Sequence, residues 1–189
     1  MRWKGVRDMK SWKKEILTTG IYLLVVLIIT FLIIRFVGQR TRVKGPSMQP
    51  TLAEGDNLIV DKITYRFRNP KRFEIIVFRP VRAEDTETYY IKRVIGLPGE
   101  TVHIDEDGVI YINGEELPES YGAEQISPSM IKLAAGEIVL GEDEYFVMGD
   151  NRNHSMDSRD AWVGNVSKKY IIGRAVFRIW PFRKFGTIH

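Results

Sequence analysis

The chain has 189 residues, no cysteine and a formal net charge of +4. That length can hold a membrane segment plus one folded domain, and the missing thiols exclude disulfides, thiolate catalysis and cysteine-ligated zinc or iron–sulfur sites. The charge is divided: residues 1–44 carry ten Lys/Arg against two Asp/Glu, and residues 45–189 carry eighteen against twenty-two, so the folded part lacks the overall basicity of a nucleic-acid binder.

Residues 1–15 are basic, and Ile16 to Ile34 is a run of nineteen residues without a charge. At 1.5 Å rise per residue the run spans about 28 Å, close to the roughly 30 Å hydrocarbon core of a bilayer. This predicts a cytoplasmic N-terminus over residues 1–15, a transmembrane anchor over residues 16–37 and an extracytoplasmic domain over residues 38–189. The rival is a cleavable signal peptide, whose apolar core is shorter and ends in a small-x-small site. Here the run is followed by Arg35-Phe36-Val37-Gly38-Gln39-Arg40, which has no such site. Six Lys/Arg precede the run, and Arg35, Arg40, Arg42 and Lys44 follow it; the excess in front favours a cytoplasmic N-terminus. Trp3 and Trp12 suit the headgroup level, and the flanking positive charge suits anionic lipid.

Beyond Gln39 the helical period gives way to short runs of Val, Ile, Tyr and Phe between turn residues. Strands are expected at 41–44, 57–62, 75–79, 89–97, 101–105, 109–112, 137–140, 145–149 and 171–179. Asn113-Gly114 signals a hairpin and Leu97-Pro98-Gly99-Glu100 a turn. Residues 117–131, with two prolines, read as an irregular excursion, and Ser167-Lys168-Lys169-Tyr170 as the start of one helical turn. Arg66–Arg72 is the one basic cluster in this part and reads as a solvated loop or a nucleic-acid contact. Phe177–Phe182 reads either as a core strand or as a surface resting on a bilayer. The expected fold is one mostly β domain with a coiled or barrel-like antiparallel sheet.

Three segments carry chemistry. In Gly45-Pro46-Ser47-Met48-Gln49-Pro50-Thr51-Leu52 a stiff turn presents the Ser47 hydroxyl. In Tyr90-Ile91-Lys92-Arg93-Val94 a lysine lies inside an apolar strand, on the face of Tyr90 and Val94, with Ile91, Arg93 and Ile95 on the other. Desolvation disfavours its charged form; lowering its pKa from ~10.4 to ~7.5 costs about 4 kcal/mol. A neutral lysine beside a serine makes a base and a nucleophile. The third segment, Gly149-Asp150-Asn151-Arg152-Asn153-His154-Ser155-Met156-Asp157-Ser158-Arg159, is polar and follows an apolar strand. In it Ser155 could orient the amine, and Asp157 and Arg159 could pair to fix the loop. Three other readings stand beside this one. A Ser47–His154–Asp triad is chemically conceivable, Lys92 could cap a strand edge, and residues 149–159 could be an ordinary solvated loop. His103, in an alternating strand, is expected to be exposed, and His189 frayed.

Together, in this order and at these separations, the segments resemble the bacterial type I signal peptidases of the Ser/Lys class, in their Gram-positive, single-anchor form. A further stretch, Gly55–Lys62, is similar to the family as well. The resemblance implies a fold of the kind shared by signal peptidases and LexA-like repressors. It implies that Ser47 is the nucleophile and Lys92 the general base, that Ser155 holds the Lys92 amine, that Asp157 and Arg159 structure the site and that Asp150 pairs with Arg93. Val43, Met48, Leu52, Val77 and Ile91 would line shallow pockets for the substrate. Gly45 stands where some relatives have a serine that donates to the oxyanion. No metal or organic cofactor is implied. The partners implied are secretory preproteins, membrane lipid and, transiently, the secretion translocon. Two rivals have other activities: a self-cleaving regulator with the same chemistry, which would need a DNA-binding domain, and a non-catalytic anchored β domain, which would need neither Ser47 nor Lys92.

Overall fold

The structure, a computed structural model, describes residues 5–32, 38–82, 88–122 and 124–188. The chain divides into two compact units, one up to Gly38 and one from Gln39 onward. In the first, helix α1 runs Gly5–Leu32. Its stretch Trp12–Phe31 has a mean hydropathy of 1.8 and is long and apolar enough to cross a membrane, and every side chain in it is exposed. The helix starts well before the apolar run. Residues 5–15 are rich in Lys, Arg, Met and Glu, which are good helix formers, so the change from basic to apolar at Ile16 marks no structural break. Trp3 and residues 33–37 lie outside the described residues.

The second unit is built on an eight-stranded curled sheet with every pairing described antiparallel. In chain order its strands are β1 (Gly38–Arg42), β2 (Asn57–Asp61), β3 (Ile75–Phe78) and β4 (Tyr90–Gly96). A small second sheet follows, of β5 (Thr101–Ile104), β6 (Ile110–Ile112), β7 (Glu115–Glu116) and β8 (Ile138–Val139). The main sheet resumes with β9 (Glu144–Met148), β10 (Val166–Ser167), β11 (Ile171–Trp180) and β12 (Gly186–Thr187). The spatial order is β1-β2-β11-β3-β4-β9-β10, with β12 on β11, and β7-β6-β5-β8 in the small sheet.

Strands β3 and β4 are buried on both faces, and the period of two decides which core each side chain joins. Ile75, Val77 and Ile91 pack with Val43, Met48, Leu52, Leu58 and Val60. Ile76, Phe78 and Val94 pack with Tyr145, Val147 and Val166. A third cluster joins the small sheet to the main one through Val102, Ile104, Ile110, Phe146 and Met148.

All nine expected strands exist, with ends shifted by a few residues. Three two-residue strands (β7, β10, β12) and the one-turn helix α2 (Thr64–Phe67) were not expected, because two residues carry no readable period. The largest shift is at β1, which starts at Gly38 rather than Thr41; Gly-Gln-Arg-Thr-Arg lacks apolar alternation, and its strand state comes from pairing with β2. His103 is half-buried rather than exposed, because its ring lies 6.1 Å from that of Tyr111 across the β5–β6 pair. His189 lies outside the described residues.

Candidate active site

Ser47 sits on a loop between β1 and β2 that is fastened at several points. The Gln49 N–H donates to Pro46 O at 3.0 Å and the Leu52 N–H to Met48 O at 2.7 Å, so the segment is a tight run of turns. Met48 and Leu52 are fully buried and anchor it in the core beneath β1 to β4. From the other side the Asn151 N–H donates to Ser47 O at 3.1 Å and the Asn151 side-chain amide to Pro46 O at 3.3 Å. The Ser47 side chain stays half-exposed.

Lys92 is on β4, opposite Ile76 of β3, and is 4 % exposed. Its Nζ lies 2.8 Å from Ser47 Oγ and donates to Ile91 O at 3.0 Å. The Tyr90 ring centroid is 5.2 Å from the amine. Burial is the main influence on its pKa; the nearby Asp157 and Asp150 carboxylates oppose it and the Arg159 guanidinium assists it, and the balance pushes the amine down to about 8. The sequence suggested a half-buried face for this lysine. The structure buries both faces of the strand, and the desolvation is correspondingly larger.

Residues 149–159 form the base of the site, and their charges are internal. Arg93 and Asp150, both 0 % exposed, form a two-pronged pair with N–O distances of 2.8 and 2.7 Å. The third Arg93 nitrogen donates to Phe73 O at 2.8 Å, and its guanidinium lies 3.7 Å from the Tyr121 ring centroid. Arg159 grips Asp157 in the same way at 2.8 and 2.9 Å and also donates to Met130 O and Arg152 O. Burial pushes the Asp157 carboxyl up, but its bonds with Arg159 and the Gly149 N–H hold it, on balance, below the ordinary value. Such pairs need their remaining bonds satisfied to be tolerated in the interior, and both arginines have them.

Gly149 joins β9 to this segment where three pieces of chain meet. A Cβ there would lie 2.3 Å from both Ser47 O and Ser155 Oγ, so only glycine lets the loop that holds Ser47 close on the loop that holds Ser155. Ser155 is buried, and its Oγ has no hydrogen-bond partner, though it lies close enough to the Asp157 carboxylate to help keep it ionised. The expected Ser155–Lys92 hydrogen bond is not formed: the amine is bonded to Ser47 and Ile91 instead. His154 is exposed on a short 3-10 turn, Arg152–His154, and makes no bond to Ser47. The amine takes the place a triad would give to imidazole.

Ser47 and Lys92 lie in the wall of a cleft of about 440 Å³. Of the expected substrate-contact residues, Val43, Met48 and Ile91 line it, with Met156 and Tyr89 beside them. Leu52 and Val77 do not reach it; they are packed behind the wall in the core. Two kinds of contributor were not foreseen. Tyr121 comes from the irregular excursion, which has no period to read. Asn151 lies within a motif, but its tie to the Ser47 loop spans over a hundred residues of chain.

Comparison with known proteins places the chain in a family. A family model described as signal peptidase, peptidase S26, matches residues 16–180. A probable signal peptidase I-2 of Synechocystis sp. is 40% identical over 156 residues, covering 81% of this chain and 68% of the relative. Signal peptidase I P of Bacillus subtilis subsp. natto is 39% identical over 175 residues, covering 90% and 91%. A crystal structure of a signal peptidase I from Enterococcus faecalis V583 is 35% identical, with a TM-score of 0.44, covering 57% of this chain and 97% of that one. Because the matched region spans most of the chain, including every residue of the cleft, the chain belongs to the signal peptidase family, peptidase S26, a family of serine peptidases.

Proposed function

We propose that the protein removes signal peptides from secretory preproteins by cutting after a small-x-small sequence, Ala-x-Ala being preferred, with Ser47 as nucleophile and Lys92 as general base. The observation that carries this reading is the 2.8 Å approach of a buried amine, shifted down to about 8, to a half-exposed hydroxyl in the wall of a cleft. A neutral lysine is the requirement for nucleophilic catalysis of this kind.

Lys92 takes the proton of Ser47 Oγ as the oxygen attacks the scissile carbonyl. The negative oxygen of the tetrahedral intermediate needs pre-aimed donors. Among the described residues the Ser47 N–H has no acceptor, which leaves it for this use. Gly45, with φ +78°, has open space where a side chain would stand and offers no second side-chain donor. The Lys92 ammonium then gives its proton to the leaving amine. Water, deprotonated by Lys92, hydrolyses the Ser47 ester and restores both groups. Asp150–Arg93 and Asp157–Arg159 hold the loops on either side, and Ser155, behind Gly149, acts through the position of that loop.

Two strand edges support an extended substrate. Val43 spends its N–H and C=O on Asp56 and Gly55, so in an extended chain Arg42 and Lys44 turn theirs to the opposite side. β9 pairs with β4 only from Arg93 onward, which leaves the edge before it without a strand. Both edges contribute to the cleft, where a peptide can pair by main-chain bonds. The first and third residues before the cut then face the same wall and the second points out. The apolar α1 suits a single-pass anchor in the cell membrane with the N-terminus cytoplasmic, and the catalytic unit then works outside, on lipid-bound preproteins delivered by the translocon.

The test is cleavage of a preprotein by the detergent-solubilised chain. Wild type should release the mature protein, while Ser47→Ala and Lys92→Arg should each lose about 10³-fold or more, since arginine keeps its charge but cannot serve as a base. Undiminished cleavage by Ser47→Ala would remove Ser47 as the nucleophile, and no cleavage by the wild type would leave the non-catalytic reading in possession.

A further inference from the structure

A second cleft, also of about 440 Å³, lies on the β unit and plays no part in the chemistry above. Its lining includes four cationic side chains, Lys62, Arg66, Arg79 and Lys168, and no Asp or Glu. They come from four places: the end of β2, helix α2, the residue after β3 and the turn before β11. No ion pair involves any of the four among the described residues. Several cations elsewhere on this unit are matched: Arg68 and Arg174 with Glu74, Arg72 with Glu100, Arg178 with Asp56.

Two further features point to an anionic occupant. The Arg79 Nε is buried with no hydrogen-bond partner, an arrangement that folded proteins keep rare, and the Arg79 guanidinium lies 5.7 Å from the Tyr89 ring centroid. Lys168 is held in position by donating to Asn69 Oδ1 at 2.6 Å. The floor is apolar, with Ile171 and Ile172. Convergent Arg and Lys donors without a carboxylate partner suit a group with several oxygens and more than one lone pair to share, and guanidinium matches phosphate in particular.

We propose that this cleft is a binding site for a phosphate group, with Arg79 as the central donor and Lys62, Arg66 and Lys168 around it. The phosphate can come from a phospholipid headgroup or from the free anion; the chemistry at the cleft is the same. Gln39, which lies in the lining, follows α1 by only a few residues in sequence.

Lysine acetylation of the full chain in neutral detergent micelles, read by mass spectrometry, tests this without reference to peptidase activity. Phosphatidylglycerol in the micelles should slow modification of Lys62 and Lys168 about tenfold at ten times its dissociation constant, by mass action, and leave Lys71 and Lys132 unchanged. Phosphatidylcholine should protect less. If inorganic phosphate at millimolar concentration protects equally, the occupant is the free anion; protection by the lipid alone assigns the headgroup. Arg79→Gln should abolish the effect, and Arg66→Gln, at an exposed position that leaves the fold intact, should weaken it. Uniform slowing at all four lysines, no protection by either phosphate source, or full protection in both variants would overturn the site.

Discussion

In the proposed mechanism Lys92 meets two opposed demands, since its burial destabilises the fold and suits it to act as a base. Below about 8 the amine carries a proton and cannot accept one from Ser47, so kcat/KM should rise with pH through about 8 and then level. An acid limb governed by a group near the ordinary lysine value would contradict this. The stability effect has a definite sign. The folded pKa lies below the 10.5 of the unfolded chain, so the unfolded state binds more protons between about 8 and 10.5, and stability rises with pH across that window. At pH 7 the full penalty applies, roughly 3 kcal/mol at 1.36 kcal/mol per unit. Lys92→Met should therefore be inactive yet more resistant to urea at pH 7, with the advantage shrinking toward pH 10; a constant advantage would argue against a buried charge. Asp157 behaves in the opposite sense. Its pKa is lowered by folding, so its contribution is present above the ordinary value of 3.8 and is lost as pH falls through the lower folded value. Asp157→Asn leaves the Arg159 charge buried and should cost about 3–5 kcal/mol, seen as an earlier urea midpoint.

The elements bring Ser47 and Lys92 together through one crowded junction. β4 fixes Lys92 from one side, the turn run 45–52 fixes Ser47 from the other, and Gly149, at the exit of β9, lets them meet. Gly149→Ala forces Ser47 O or Ser155 to move away; it should lower kcat by about 10²-fold while KM for a short peptide changes little, because near-attack geometry is lost before the cleft is. Wild-type kinetics in this variant would show that the contact relaxes freely. Paired strand edges also predict substrate preference. Only Val43, Met48 and Ile91 of the five expected residues line the cleft, with Leu52 and Val77 closing the space behind them. A preprotein panel with single changes should therefore lose cleavage on a bulky residue at the first or third position before the cut, keep it on most changes at the second, and lose it on proline just after the cut, where the ring removes a backbone N–H. Equal tolerance at all three positions would remove the two-edge picture while leaving the nucleophile untouched.

At the scale of the molecule, the division after Gly38 leaves Ser47, Lys92 and the whole cleft in the second unit. A chain beginning at Gly38 should still cut a short peptide, with reduced rate on a membrane-bound preprotein. Loss of peptide cleavage by a folded truncation would mean that α1 does more than anchor. Protease added to intact cells should digest the β unit if the N-terminus is cytoplasmic, and protection would reverse that orientation.

The amino-acid sequence determined by itself the division into an apolar helix and a β unit and the main strands, and it pointed to Lys92 as the partner of Ser47, which the 2.8 Å approach then set apart from His154. Each of these rests on local pattern: a run without charge, a period of two, and side-chain chemistry quoted in three short motifs. The tertiary structure decided what local pattern cannot carry. Whether an expected lining residue faces the cleft depends on the curl of the sheet, which turns Met48 and Ile91 into the wall and leaves Leu52 and Val77 behind it. Whether Lys92 bonds Ser155 depends on how two segments distant in sequence pack together, and here the amine bonds Ser47 and Ile91 instead. Lys62, Arg66, Arg79 and Lys168 are scattered along the chain; they line one cleft only because the fold brings four separate segments to one place, and charge adds through space and not through sequence.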